Sequence, residues 1–193
     1  MTLAPWRPLL ARALHRNRSR PYSRYLQLAT IRPDGRPANR TVVFRGFMQD
    51  TSTLTFVTDT RSEKMAHAAH QPWAEACWYF TETREQFRIA GDLTLVTAQE
   101  STSALQLARQ QAWESLSDAA RIQFTWPSPG QPRAPQSAFE APAPHPSIPP
   151  ESFCLLLLRP HLVDHLELRG NPQNRTHYQQ IEPDQWTTVA VNP

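Results

Sequence analysis

The segment from Tyr25 to Val96 runs as short stretches of alternating apolar and polar residues separated by turns, and this pattern constrains the fold more than any other feature. In SRYLQLATIR, Tyr25, Gln27 and Ala29 fall on one side and Leu26, Leu28 and Thr30 on the other, as a period of two requires. PDGRP then offers a hairpin turn at Asp34-Gly35. ANRTVVFRGF is read as a second strand, LTFVT as a third, and WAEACWYFT and EQFRIAGDLTLV as two longer strands around ETR. SFCLLLLRPHLVDHLEL and WTTVAV complete a set of about seven. Parallel neighbours need a long crossover between them, and few of these strands have room for one. The expected fold is mainly β (α+β), a small antiparallel barrel with peripheral helices.

The second strand poses a question. Between Asn39 and Phe47, alternation puts Arg40 with Val42 and Phe44, and Arg45 with Val43 on the opposite face. Each face of an apolar strand therefore carries a cation.

Helical expectations are fewer. DTRSEKMAHAAHQ reads as a capped helix with Thr60 or Ser62 as N-cap, and STSALQLARQQAWESLSDAARIQF is the clearest helical region. Residues 127–150 hold nine prolines in 24 positions, which excludes helix and central strand and leaves a long loop within the domain. Residues 1–20 are arginine-rich and free of acids, the texture of a targeting peptide, but WRPLLARALHR has helical spacing and is read as a first helix lying on the domain. The 193 residues suffice for one domain with a real core, taken as 1–193. No apolar run approaches a membrane span, and two cysteines are too few for a disulfide framework, so a reducing, cytoplasmic setting is expected.

Charge is uneven. Residues 1–48 contain ten arginines and one acid, Asp34. HRNRSR lacks the interleaved aromatics of a single-strand binder and is read as solvated surface, so neither nucleic acid nor membrane is expected as a partner. Nineteen of the twenty basic residues are arginine, which makes Lys64 a candidate for a point-charge role that a planar fork does not fill.

Five glycines cannot spell a dinucleotide fingerprint or a P-loop, and no nucleophile elbow is present. His67 and His70, with Cys77 beyond, and His161 with His165 lack a third metal ligand at a standard spacing, so they are read as ordinary surface histidines and no metal is expected. What remains is an anion-binding pattern. TRSEK opens a helix directly after a strand, where free N–H groups favour an anion, and Arg61, Ser62 and Lys64 add a fork, a hydroxyl and an ammonium. Arg40 begins the neighbouring strand. The alternative is a capped helix with solvated charges.

RTVVFR, FVTDTRSEK, EQFRIAG and NPQNRTHY, in this order, resemble the pyridoxamine 5′-phosphate oxidase family of FMN-binding split barrels, from about Tyr25 to Pro193. The resemblance implies a split β-barrel, FMN as cofactor, and a homodimer with FMN at the interface. It implies that Arg40, Ser62 and Lys64 hold the FMN phosphate, with Arg61 beside them. Thr41, Val42 and Val43 would run along the flavin, and Thr58 would border it. Gln86 and Arg175 would reach the flavin ring, some of these residues coming from the partner subunit. Arg45, where the family usually has lysine, would face both flavin and a small-molecule substrate, and Gln131 would stand at the pocket entrance.

The same resemblance exposes departures. The oxidases carry an arginine and a histidine shortly before the final arginine, where this chain reads Asn171, Pro172, Gln173, Asn174, Arg175. Glu63 replaces an arginine beside the phosphate. The expectation is an FMN-dependent oxidoreductase whose vitamin B6 residues are not retained. The alternatives are a non-catalytic flavin-binding or sensing protein, and a true oxidase with an altered substrate site.

Overall fold

The computed structural model describes residues 3–193. Helix α1 (Arg7–Arg16) precedes strands β1 (Tyr25–Ile31), β2 (Pro37–Val43), β3 (Gly46–Phe47) and β4 (Leu54–Asp59). Helix α2 (Glu63–His70) leads to β5 (Trp73–Phe80) and β6 (Glu85–Val96). Helices α3 (Ser103–Glu114) and α4 (Asp118–Arg121) and the proline-rich loop come next, then β7 (Phe153–Glu167), β8 (Asn174–Glu182) and β9 (Gln185–Val191).

All pairings are antiparallel, in the order β2-β1-β5-β6-β7-β4-β3, with β8 on β7 and β9 on β8. The sheet curls into a split barrel. β7 organises it: β6 runs along one edge, while the other edge pairs first with β4 and then with β8. The bend lies where the β6–β7 register shifts, between Ala90 and Gly91. A side chain at Gly91 would stand 1.9 Å from the Arg159 carbonyl oxygen, so only glycine permits this approach.

Alternation fills the barrel. Leu26 and Leu28 of β1, Leu54 and Phe56 of β4, Trp78 and Phe80 of β5 and Phe87 and Ile89 of β6 all point into one core. The continuous apolar run of β7 is buried on both faces: Leu156 and Leu158 face the barrel, while Leu155 and Leu157 lie under Leu105, Ala108 and Ala112 of α3. α1 lies on the domain as its spacing implies, with Trp6 and Leu10 fully buried. The Asn17 amide caps its C-terminus at the Ala13 carbonyl (2.8 Å) and also meets Thr83, so α1 is fixed to the β5–β6 turn.

Four expectations need correcting. The strand read as continuous over Asn39–Phe47 is broken at Phe44-Arg45. The Phe44 N–H donates to Arg24 beside β1 and the Arg45 N–H donates to Thr55 of β4, so the chain changes pairing partner between these two residues. The described residues hold nine strands rather than about seven, because of this break and because β8 is added. The long helical region divides at Ser115–Ser117 into α3 and α4, the latter running into a 3-10 turn over Ile122–Thr125. The proline-rich loop holds a single 3-10 turn, Gln136–Phe139, which fits between its prolines. No helix among the described residues is long and apolar enough to cross a membrane.

Candidate functional site

A cleft of about 640 Å³ opens between the β2–β3 break, the end of β4, the start of α2 and the proline-rich loop. β2 contributes Arg40, Thr41, Val42 and Val43, and the break contributes Arg45. The end of β4 supplies Thr58 and Asp59, and the turn into α2 brings Arg61 and Lys64. Phe124, Trp126, Gln131, Arg133 and Phe139 form the opposite wall. The loop is thus folded over the cleft. Its C-terminal end is tied down: Arg109, buried in α3, donates to the Pro150 and Phe153 carbonyls, and Trp113 donates to the His145 carbonyl.

The head of the cleft is electrostatically unusual. Lys64 Nζ donates to the hydroxyls of Thr58 (2.9 Å) and Ser62 (2.6 Å), and Arg40 Nη1 donates to the Leu28 carbonyl (3.0 Å) and the Thr30 hydroxyl (2.7 Å). Neither cation forms an ion pair among the described residues. Burial pushes the Lys64 pKa down and the Arg40 charge pushes it further, with Asp59 and Glu63 opposing; burial likewise lowers that of Arg40, with Glu63 opposing. Ser62 is the N-cap of α2, and the first N–H groups of a helix lack helical acceptors. Two half-buried cations, two hydroxyls and a helix N-terminus at one end of a cleft make an anion cradle.

Arg61 differs. It grips Asp59 through Nε and Nη2 (2.9 and 2.6 Å) and donates to the Trp126 carbonyl (2.9 Å), so its charge is met within the chain and it joins the cradle to the loop. Arg45 has a pKa lowered by burial and then by Arg24, and it too lacks an ion pair among the described residues.

Gln86 and Arg175 do not line the cleft. Gln86 of β6 pairs in register with Leu166 of β7, and Leu166 with Arg175 of β8, so all three leave the sheet on one face. Arg175 is held there by Asp164 at 3.0 and 2.7 Å. Thr41 and Val43 belong to the same face, through their register with Gln27 and Tyr25 and that of Gln27 with Cys77, Cys77 with Arg88 and Arg88 with Asp164. The structure therefore gathers Arg40–Val43, Arg45, Thr58, Arg61, Lys64 and Gln131 around the cleft, with Ser62 joined to it through Lys64, and leaves Gln86 and Arg175 on the outer sheet face.

The histidines depart from expectation. His67 and His165, read as surface residues, are 4% and 3% exposed. His67 Nδ1 meets the Thr30 hydroxyl at 3.0 Å, behind Arg40. His165 stacks on Phe87 and meets Glu85 at 3.0 Å; Glu167, directly across from Glu85, brings a third potential ligand atom into the group. Strand register assembles the Glu85, His165 and Glu167 group, and packing of α2 on β1 brings His67 to Thr30; neither arrangement follows sequence spacing.

Comparison with other proteins shows the family and the fold. The family described as pyridoxamine 5′-phosphate oxidase, FMN-binding domain, matches residues 3–97. The chain is 39% identical over 196 residues to pyridoxine/pyridoxamine 5′-phosphate oxidase 2 of Arabidopsis thaliana, covering 99% of this chain and 98% of that one. The crystal structure of a pyridoxamine 5′-phosphate oxidase-related, FMN-binding protein of Nostoc punctiforme PCC 73102 is 60% identical, covers 100% of both chains and superposes with a TM-score of 0.97. PhzG of Burkholderia lata 383, solved with tetrahydrophenazine-1-carboxylic acid, is 20% identical with a TM-score of 0.79 over 96% of this chain and 91% of that one, a likeness of fold.

Proposed function

The chain belongs to the pyridoxamine 5′-phosphate oxidase family of FMN-binding split barrels, and from that premise we propose that it is an FMN-dependent oxidoreductase acting on a small molecule as a homodimer. The observation that carries this reading is the pair Arg40 and Lys64: two cations that form no ion pair among the described residues, at the head of a cleft of about 640 Å³. Leaving half-buried charges unpaired is costly, and a phosphate group supplies the missing anion.

In this proposal Arg40, Ser62, Lys64 and the α2 N-terminus hold the FMN phosphate. Thr41, Val42, Val43 and Thr58 line the flavin. Arg61 secures the loop beside the phosphate. FMN, when bound, supplies the two-electron chemistry. Arg45 and Gln131 face the substrate, with Trp126 and the loop prolines limiting access of water. Gln86 and Arg175 come from the second subunit: the outer sheet face that carries them also exposes Tyr25, Trp73, Tyr79 and Leu162, each more than 40% accessible, and a second copy seated there would cover them.

The vitamin B6 oxidases place an arginine and a histidine where this chain has Asn171 and Gln173, so a substrate other than the pyridoxine phosphates is proposed. A second reading, oxidation of pyridoxamine or pyridoxine phosphate through an altered site, is favoured by the full-length similarity to the Arabidopsis oxidase. The test is direct. Purified protein is expected to be yellow, to release FMN on denaturation and to turn over pyridoxamine phosphate poorly. Robust oxidase turnover would select the second reading, and colourless protein that takes up no added FMN would end both.

A further inference from the structure

Arg40 is held from behind. Its Nη1 donates to the Thr30 hydroxyl at 2.7 Å, that hydroxyl lies 3.0 Å from His67 Nδ1, and Arg40 Nη2 stands 3.5 Å from the same nitrogen. Thr30 and His67 are both buried, at 2% and 4% exposure. The arginine nitrogens are donors only, and the Thr30 oxygen already accepts one of their protons. The arrangement is satisfied when Nδ1 carries a lone pair and the imidazole proton sits on Nε2, so that the threonine O–H donates to Nδ1 and Arg40 Nη2 meets no opposing N–H.

We propose that His67 and Thr30 are positioning residues, a relay that fixes the Arg40 guanidinium for its anion; this rests on the reading of Arg40 and Lys64 as the phosphate cradle. The relay places both cations under one element. Lys64 stands in the first turn of α2 and His67 three residues later in the same helix, so α2 sets one cation directly and the other through Thr30. The neutral imidazole that the relay needs is favoured by burial and by Arg40 and Arg32, with Glu63 and Asp34 opposing. A protonated ring would turn an N–H toward Thr30 and Arg40 and add a third positive charge to the cradle.

The test uses the full chain and FMN, with dissociation constants read from flavin fluorescence. His67→Phe keeps the ring but removes the acceptor, and Thr30→Val removes the hydroxyl at equal volume. Each is expected to weaken FMN binding roughly tenfold, as for loss of one hydrogen bond to a charged group. The double variant is expected to be no weaker than either single one, because both break the same relay. His67→Asn, whose amide oxygen replaces the Nδ1 lone pair, should bind within about twofold of the parent chain. In the apoprotein, imidazole nitrogen spectra should show His67 as the Nε2–H tautomer. Unchanged affinity in His67→Phe, multiplying effects in the double variant, or an Nδ1–H tautomer would each overturn the relay. If His67→Phe does not fold, Thr30→Val and the tautomer decide. If the parent chain binds no FMN, the cradle itself is wrong, and the apoprotein tautomer still judges the relay separately.

Discussion

The cleft head and the outer sheet face both present arginines, and they treat charge in opposite ways. On the outer face Arg175 is locked to Asp164 in a two-pronged pair, Arg88 approaches the same carboxylate at 3.6 Å, and Arg88 also pairs with Glu75 at 2.7 Å. Those charges are balanced before any ligand arrives. At the cleft head Arg40 and Lys64 are propped on hydroxyls and a carbonyl, which orient a cation without neutralising it. The first arrangement stabilises the fold and aims a side chain outward. The second leaves positive charge without an ion pair among the described residues, as the proposed phosphate cradle requires. Hydrogen-bond partners therefore separate an uncompensated cation from one balanced within the fold more sharply than exposure does.

The comparison breaks first at Lys64. Lys64→Ala should weaken FMN binding by about 1.5–3 kcal/mol, roughly ten- to 150-fold, measured by flavin fluorescence. The thermal midpoint of the apoprotein should hold or rise, because the substitution relieves repulsion from Arg40. A fall in apoprotein stability as large as that of a core truncation would show Lys64 to be structural.

Asp164 should behave in the reverse manner. Its pKa is held down first by the Arg175 hydrogen bond, against burial. A carboxyl with a depressed folded pKa contributes stability above its unfolded value, near 3.9, and that contribution is lost as pH falls through the folded value. Asp164→Asn should thus lower the thermal midpoint at pH 7, and the gap from the parent chain should close under acid conditions below about pH 4. In the proposed dimer Arg175 serves the partner's cleft, so isolated subunits should bind FMN more weakly than dimers.

Arg61 lies between the two cases, and its effect should be smaller. It is paired like Arg175 but stands in the cleft lining. Arg61→Ala should cost only a few-fold in FMN affinity, as for a partly exposed pair, while limited proteolysis within residues 127–144 accelerates. A loss of affinity matching Lys64→Ala would assign it directly to the phosphate.

These contrasts were partly legible in the sequence. Strict alternation placed β1, β5 and β6, and the continuous apolar run placed β7. The solitary lysine marked a residue that does line the cleft. The break at Phe44-Arg45 left no local trace, because it arises from a change of pairing partner across the barrel. β8 escaped because Asn174 to Gln180 is polar on both faces, its outer side carrying Arg175 and His177. Gln86 and Arg175 entered only through family resemblance, since nothing within one chain brings them to the cleft. His67 was misjudged because its burial depends on packing α2 against β1, a tertiary event that a helix reading HAAH does not announce.

The smallest predicted effect is also the most specific to the uncompensated cradle. A lysine whose folded pKa lies below its unfolded value destabilises the apoprotein while protonated, and burial and Arg40 place Lys64 in this class. The sign follows from linkage: between the folded and unfolded pKa values the unfolded chain binds more protons, so stability rises with pH across that window. The upper limit is the unfolded value near 10.4, and the window opens at the lowered folded value. Lys64→Met, which keeps the side-chain length without the charge, should therefore be more stable than the parent apoprotein at pH 7, and the difference should shrink as pH approaches about 10. Adding inorganic phosphate at pH 7 should narrow the same gap by supplying the missing anion. A gap that is flat across pH and indifferent to phosphate would mean that Lys64 is already neutralised within the fold, and the distinction between the two regions would fail at its strongest point.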